Sequence, residues 1–200
     1  MIRADLKSIA DIQVGYQARD RVKESTRGTH YLIQSKDFDS LHRLHPENLI
    51  TFFPERNPEN YSVRKKDVLF QARGVEHFAY CIEDDLSDTL AAGSFYILRM
   101  QSKELLPLYL AWWLNQAKAQ AWLRTQARGT GISFISKHTL SRLQITIPPL
   151  TIQKKVVKIV TLARREQFLL DRLAQTRLRL VEAVCIKAIA NYELTDRRDK

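Results

Sequence analysis

The sequence predicts an α+β protein: a mixed, strand-rich globular head over residues 1–150, then one long helix over 151–195 and a frayed tail at 196–200. Three observations predict it. Residues 1–100 contain short runs rich in β-branched and aromatic residues, several bounded by Gly, Pro, Asp or Asn. Pro148 and Pro149 stand side by side where a strand-like run ends. From Ile152 to about Ala190 there is no Pro or Gly, and apolar residues recur every three or four positions.

Taken in order, ADIQVGY, THYLIQ, NLITFFP, SVRKKDVLFQA, HFAYCIE and AAGSFYILRM read as five or six strands joined by loops. Pro107 then opens LPLYLAWWLNQAKAQAWLRTQAR, read as a single helix with Pro in its first turn and Gly129 as its stop. Leu110, Trp113 or Leu114, Ala117 and Ala121 would form its buried stripe. Trp112, Trp113 and Trp122 read as core packing. RLQITIP at 142–148 alternates Leu143, Ile145 and Ile147 with polar residues and reads as another strand. Thr151 is the expected N-cap of the long helix. Some 38 residues at about 1.5 Å each would make a rod of about 57 Å. A head of this size could not cover such a rod, so its stripe of Val156, Ile159, Leu162, Leu169, Leu173, Leu180 and Val184 needs another helix.

The chain carries 32 Lys and Arg against 22 Asp and Glu, a net charge of +10. The excess is uneven: residues 151–200 hold 12 basic and 6 acidic side chains, against 20 and 16 in residues 1–150. A basic surface points first to nucleic acid and second to an anionic membrane surface. Cys81 and Cys185 lie far apart, which argues against a disulfide framework and for a reducing, cytoplasmic setting. MIRADLKSIADIQVG contains acids and no apolar h-region, so no signal peptide is expected. The apolar run near YLAWWL is too short to span a bilayer.

Catalytic patterns fail one by one. NPEN at 57–60 departs from the N-P-P-aromatic motif of amino-methyltransferases at Glu59 and Asn60. GTG at 129–131 is too short for a dinucleotide fingerprint, and there is no P-loop. Asp84, Asp85 and Asp88 in EDDLSD read as a solvated loop rather than a cation site. His42 and His45 in HRLHPE have helix-face spacing but no further ligand. No His or Asp neighbours either cysteine to activate it. An enzyme with a dispersed site around His77, Asp84 and Asp85 remains as a competing reading, and it would show metal-dependent turnover.

Binding chemistry is better represented. Four loop-like stretches mix Arg, Lys, His, Tyr, Asn and Thr: 19–31, 54–61, 71–77 and 127–133. They supply cations for phosphates and adaptable donors for base edges. The expected duplex-facing residues are Arg19, Arg27, His30 and Tyr31 from the first loop and Arg56 and Asn57 from the second. Arg73, Gly74 and His77 come from the third, and Arg128, Thr130 and Ser133 from the fourth. Gly28, Gly74, Gly129 and Gly131 would let backbone amides approach a phosphate.

The order of these parts resembles one half of the specificity (S) subunit of type I restriction–modification systems. The likeness rests on ADIQVG at 10–15, RKKDVLF at 64–70 with Arg73–Gly74 after it, SFYILRM before LLPLYLAWWLNQ, and ISKHTLSRLQITIPPLTIQ before the long helix. It covers most of the chain and is most specific over residues 104–153. It implies a target recognition domain at 1–150 and a spacer helix at 151–195. It also implies a non-catalytic role, with methylation of adenine N6 and the S-adenosylmethionine cofactor belonging to partner methyltransferase (M) subunits. A motor-nuclease (R) subunit is a further partner of such systems. Family subunits resemble two such units in tandem, with antiparallel helices. One head and one helix therefore imply a half-size form that pairs with a second copy, its helices forming an antiparallel, coiled-coil-like dimer on double-stranded DNA. The competing reading within this class is a free-standing DNA-binding regulator or restriction decoy.

Overall fold

The computed structural model describes residues 2–129 and 131–196, with side chains as far as residue 189. In chain order the strands and helices are β1 (Ile2–Asp5), β2 (Ala10–Val14), β3 (His30–Ile33), β4 (Ile50–Phe52), β5 (Val68–Gln71), β6 (Arg73–Gly74), β7 (Ala79–Cys81), β8 (Thr89–Ala91) and β9 (Phe95–Met100). Then come α1 (Pro107–Leu114), α2 (Ala117–Gln126), β10 (Ser133–Phe134), α3 (Lys137–Ser141), β11 (Gln144–Ile147) and α4 (Leu150–Asp196). The class is α+β, as expected, and all six apolar runs of the first hundred residues form strands. The chain divides into two compact units, residues 1–157 and 158–200.

The first unit is organised by a four-stranded antiparallel sheet in the order β2-β9-β5-β7. Its central strands carry the apolar runs Val68–Phe70 and Phe95–Leu98, in which residues of both parities are buried because both faces are covered. Val68, Phe70, Tyr96 and Leu98 point into one core with Tyr109, Leu110 and Leu114 of α1. Leu69, Phe95 and Ile97 alternate into a second core with Ile33, Phe78 and Ile82. A three-stranded sheet, β4-β3-β8, pairs β3 with β8 in parallel and covers a third cluster of Tyr16, Leu32, Phe52 and Leu90. β1 pairs with β11, and β6 with β10, each antiparallel.

The expected single helix from Pro107 to Gly129 is two. Asn115 breaks it: its side chain accepts a hydrogen bond from the Ala79 amide and donates one to the Ala79 carbonyl, both at 2.8 Å. It thereby satisfies a backbone pair on the sheet's edge strand β7. Gln116 and Gln120 donate to the carbonyls of Trp112 and Leu114 at the end of α1. The break resets the helical phase, so Leu110 and Leu114 are buried as expected but Ala117 and Ala121 are exposed, and Ala119 and Leu123 take their place. The three tryptophans are half-buried against the main core. α2 ends at Gln126, not at Gly129.

Thr151 does not cap the long helix, which starts one residue earlier at Leu150. The Pro149 carbonyl accepts from the amides of both Ile152 and Gln153. Gln153, fully buried, accepts from the Leu106 amide and donates to the carbonyls of Glu104 and Pro148. One glutamine thus ties the first turn of α4 to the start of α1 and to the double proline, which gives the Q of PPLTIQ a structural reason. Val156, expected in the arm's stripe, is half-buried against the head's main core. In the second unit Ile159, Leu162, Leu169, Leu173, Leu180 and Val184 are between 49% and 66% exposed. Residues 197–200 of the expected frayed tail lie outside the described residues. Among the described residues no helix is long and apolar enough to cross a membrane.

Candidate nucleic-acid interface

A chain of contacts beginning at Tyr16, three residues before the first basic loop, runs through the other three. Tyr16 leaves β2, bridges to Ala92 in parallel and donates its amide to the Ala91 carbonyl. Its ring packs edge-on against Phe52 and Tyr61, each with centroids 5.4 Å away. Its hydroxyl oxygen accepts from the Glu55 amide at 2.9 Å. The chain entering the first loop is therefore anchored to the second loop at Glu55 and Tyr61. Two residues beyond Ala92, the Ser94 carbonyl accepts from the amides of Ala72 and Arg73, which brings in the third loop.

The third loop holds the fourth. Arg73 and Gly74 pair with Phe134 and Ser133, and Arg128 pairs with Phe134 through two backbone hydrogen bonds. The Arg73 guanidinium lies 5.3 Å from the Phe134 ring centroid, a cation–π contact that keeps the charged head at the surface. Gly129 and Gly131 have φ of +106° and +95°, values that favour glycine and let the 128–134 hairpin turn.

His77, expected to face a duplex, is 8% exposed and lies largely beneath this surface. Its Nδ1 is 2.9 Å from the Gln71 carbonyl, which can only accept, so Nδ1 carries the proton. Nε2 is 2.8 Å from Ser133 Oγ, and its ring stacks along Phe70. Ser133 Oγ also lies 3.2 Å from the Gly74 carbonyl. Three members of the expected set, Gly74, His77 and Ser133, are thereby joined, with His77 as the internal brace.

Arg19, Arg27, Arg56, Asn57, Arg73 and Arg128 are exposed, as is Tyr31 on β3. His30 is half-buried, with Nδ1 2.9 Å from Thr29 Oγ1. Asn57 caps the short helical turn at Pro58–Tyr61 by accepting from the Glu59 amide, so its carbonyl oxygen is already engaged. Gly28 serves packing: a Cβ there would collide with the backbone of Phe52, and its amide donates to the Ser25 carbonyl. Thr130 lies outside the described residues. Beside Tyr16 is an open depression of about 310 Å³ edged by Arg21, Lys23, Phe53 and Glu55.

The remaining candidates resolve into structural roles. His42 stacks on Phe78 with centroids 4.2 Å apart and bonds Glu76. His45 lies between Asp39 and Glu47, at 3.3 and 2.9 Å. Hydrogen bonds donated by the ring to the carboxylates of Glu47 first and Asp39 second raise the His45 pKa. Burial opposes ionisation of Asp39, but bonds from the Arg43 amide and guanidinium, His45 and the Leu41 amide outweigh it and hold that carboxyl at about 2. Among the described residues no group of three or more His, Cys, Asp or Glu could hold a metal ion.

A family model described as the type I restriction modification DNA specificity domain matches residues 31–168. The fold is similar to that of the type I restriction–modification S subunit from M. genitalium: 13% identity, TM-score 0.57, covering 80% of this chain and 38% of that one. The HsdS subunit from Thermoanaerobacter tengcongensis gives 16% identity and a TM-score of 0.55, over 82% and 37%. A chain from a structure of the type I R-M system, solved for complex assembly and conformational transition, gives 20% and 0.56, over 86% and 40%. The present chain thus spans roughly two fifths of each solved chain it matches. No curated protein matches the sequence.

Proposed function

The chain belongs to the type I restriction–modification DNA specificity family, and from that premise we propose that its head reads a defined sequence in double-stranded DNA for a methyltransferase complex. The observation that carries this reading is the continuous run of contacts from Tyr16 through Ala92 and Ser94 to Arg73 and Phe134. It starts three residues before the 19–31 loop and joins the Arg-bearing 54–61, 71–77 and 127–133 loops across the sheets. Arg19, Arg27, Arg56, Arg73 and Arg128 supply phosphate contacts, which position a protein on a duplex, and neighbouring polar and aromatic groups supply base contacts.

The head has no catalytic role in this reading. Methylation of adenine N6, with S-adenosylmethionine, falls to M subunits that the chain positions, and an R subunit is an optional further partner. The helix in residues 158–189 supports pairing with a second copy. Its exposed Ile159, Leu162, Leu169, Leu173, Leu180 and Val184 are spaced by three, four or seven, the pattern of a helix that packs along another helix. Two identical heads related by a two-fold axis read one half-site twice in inverted orientation. The target is then an interrupted palindrome with an adenine in each half-site, flipped out for the partner's chemistry.

Reconstitution of the chain with its M protein and S-adenosylmethionine, followed by single-molecule sequencing of the treated DNA, tests this. Methylated adenines in a gapped palindrome are the expected result. An asymmetric or ungapped motif would overturn the paired arrangement, and the absence of any preferred motif would overturn the reading as a whole.

A further inference from the structure

The surface around Arg73 and Arg128 is charged, but the tip of the ribbon they flank is apolar. Val75 is 81% exposed and Ile132 is 67% exposed. Val75 follows Gly74 and Ile132 precedes Ser133, so both leave the Gly74–Ser133 pair at the same end of the ribbon. Two branched apolar side chains thus share one ribbon end in water. The end is also held firm: His77 and Ser133 are bonded behind it, the Gln71 side chain donates to the Glu76 carbonyl, and Arg73 lies over Phe134. A partner that covers Val75 and Ile132 would gain their burial with little ordering of the chain.

The flanking guanidinium groups select a polyanion as that partner. Glu76, the acidic neighbour, is bonded to His42 Nε2 at 3.2 Å. On the edges of duplex bases the prominent apolar group is the 5-methyl of thymine, displayed in the major groove, which is wide enough for a two-stranded β-ribbon. We propose that Val75 and Ile132 are specificity-determining residues that pack on the 5-methyl group of a thymine in the major groove, while Arg73 and Arg128 hold the ribbon to adjacent phosphates. This rests on the reading of the head as a sequence-specific duplex binder.

The experiment uses the full chain and a random-sequence duplex library. The duplex enriched by binding is remade with deoxyuridine in place of each thymine in turn, which removes only the methyl group. Affinities are measured at one salt concentration for the wild type, Val75→Ala, Ile132→Ala and the double variant. Because both side chains are exposed, the melting temperature should not change; Ile132→Thr, which keeps the branched shape, provides a second test of the same contact. At one or more thymine positions deoxyuridine should weaken wild-type binding by about fourfold, the value of one buried methyl-sized group. That loss should vanish in the double variant. Wild-type indifference to every replacement, or a loss that persists in the double variant, overturns the methyl contact alone. Failure of the library to yield a preferred duplex overturns both this contact and the sequence-reading function beneath it.

Discussion

His77 Nε2 lies 2.8 Å from Ser133 Oγ, joining positions 56 residues apart in sequence and closing the third loop onto the fourth. Because Nδ1 donates to the Gln71 carbonyl, Nε2 of the neutral ring is an acceptor, and it shares the single Ser133 hydroxyl proton with the Gly74 carbonyl 3.2 Å from that oxygen. The brace therefore fixes a tautomer as well as a position.

His77→Phe keeps a ring stacked along Phe70 but removes both hydrogen bonds. It should destabilise the head by about 1–3 kcal/mol, because the buried Gln71 carbonyl loses its side-chain donor. Hydrogen exchange at the Arg128 and Phe134 amides, which pair across the hairpin, should accelerate more than exchange in β9. Unchanged protection at those two amides would show that the brace does not hold the ribbon.

The Asp39–His45–Glu47 cluster should give the 35–49 segment a bounded pH range. Asp39 is depressed to about 2, so its contribution is present above the unfolded value near 3.8 and lost as pH falls toward 2. His45 is raised, so its contribution is complete below the unfolded value near 6.5 and lost as pH rises through the folded one. Stability against urea should therefore fall on both sides of a plateau between roughly pH 4 and 6.5. His45→Gln should abolish the alkaline decline attributable to this cluster, and Asp39→Asn should reduce the acid one. Identical pH profiles for wild type and both variants would refute the assignment.

Removing one phosphate-contacting arginine should lower the slope of log affinity against log salt by about one unit. Arg73→Ala and Arg128→Ala are the strongest cases, since their backbones are fixed by pairing with Phe134. Arg19→Ala and Arg27→Ala test the first loop in the same way. A base-reading arginine would instead cost about 1–3 kcal/mol on the preferred duplex and little on random DNA. If all four variants match the wild type on both DNAs, the interface lies elsewhere on the head.

Leu173 is 55% exposed in the single chain and lies in the middle of the helix stripe. If that stripe is covered by a second copy, Leu173→Asp places an unpaired carboxylate in an apolar seam and should cost about 3 kcal/mol or more. Light scattering should report a dimer for the wild type and a monomer for the variant at micromolar concentration. A wild type that stays monomeric at every concentration would remove the self-pairing arrangement.

Much of the architecture follows from local chemistry that the sequence displays directly. Apolar runs such as Val68–Phe70 and Phe95–Leu98 become central strands because residues of opposite parity each meet a core. Pro107, the double proline and the Pro- and Gly-free stretch after it placed the helices because proline and glycine act within a turn of themselves. Only the tertiary structure decided the rest, since it depends on partners remote in sequence. Asn115 splits a helix by satisfying Ala79, thirty-six residues away, and Gln153 is buried by bonds to Leu106 and Glu104. The same distinction separates the candidate site residues. Arg73 and Arg128 were legible as exposed cations, whereas the burial of His77 and the exposure of Val75 and Ile132 reverse what polarity alone predicts. Side-chain polarity is a property of one residue, but exposure is decided by which strand pairs with which, and β6 meets β10 only in the folded chain.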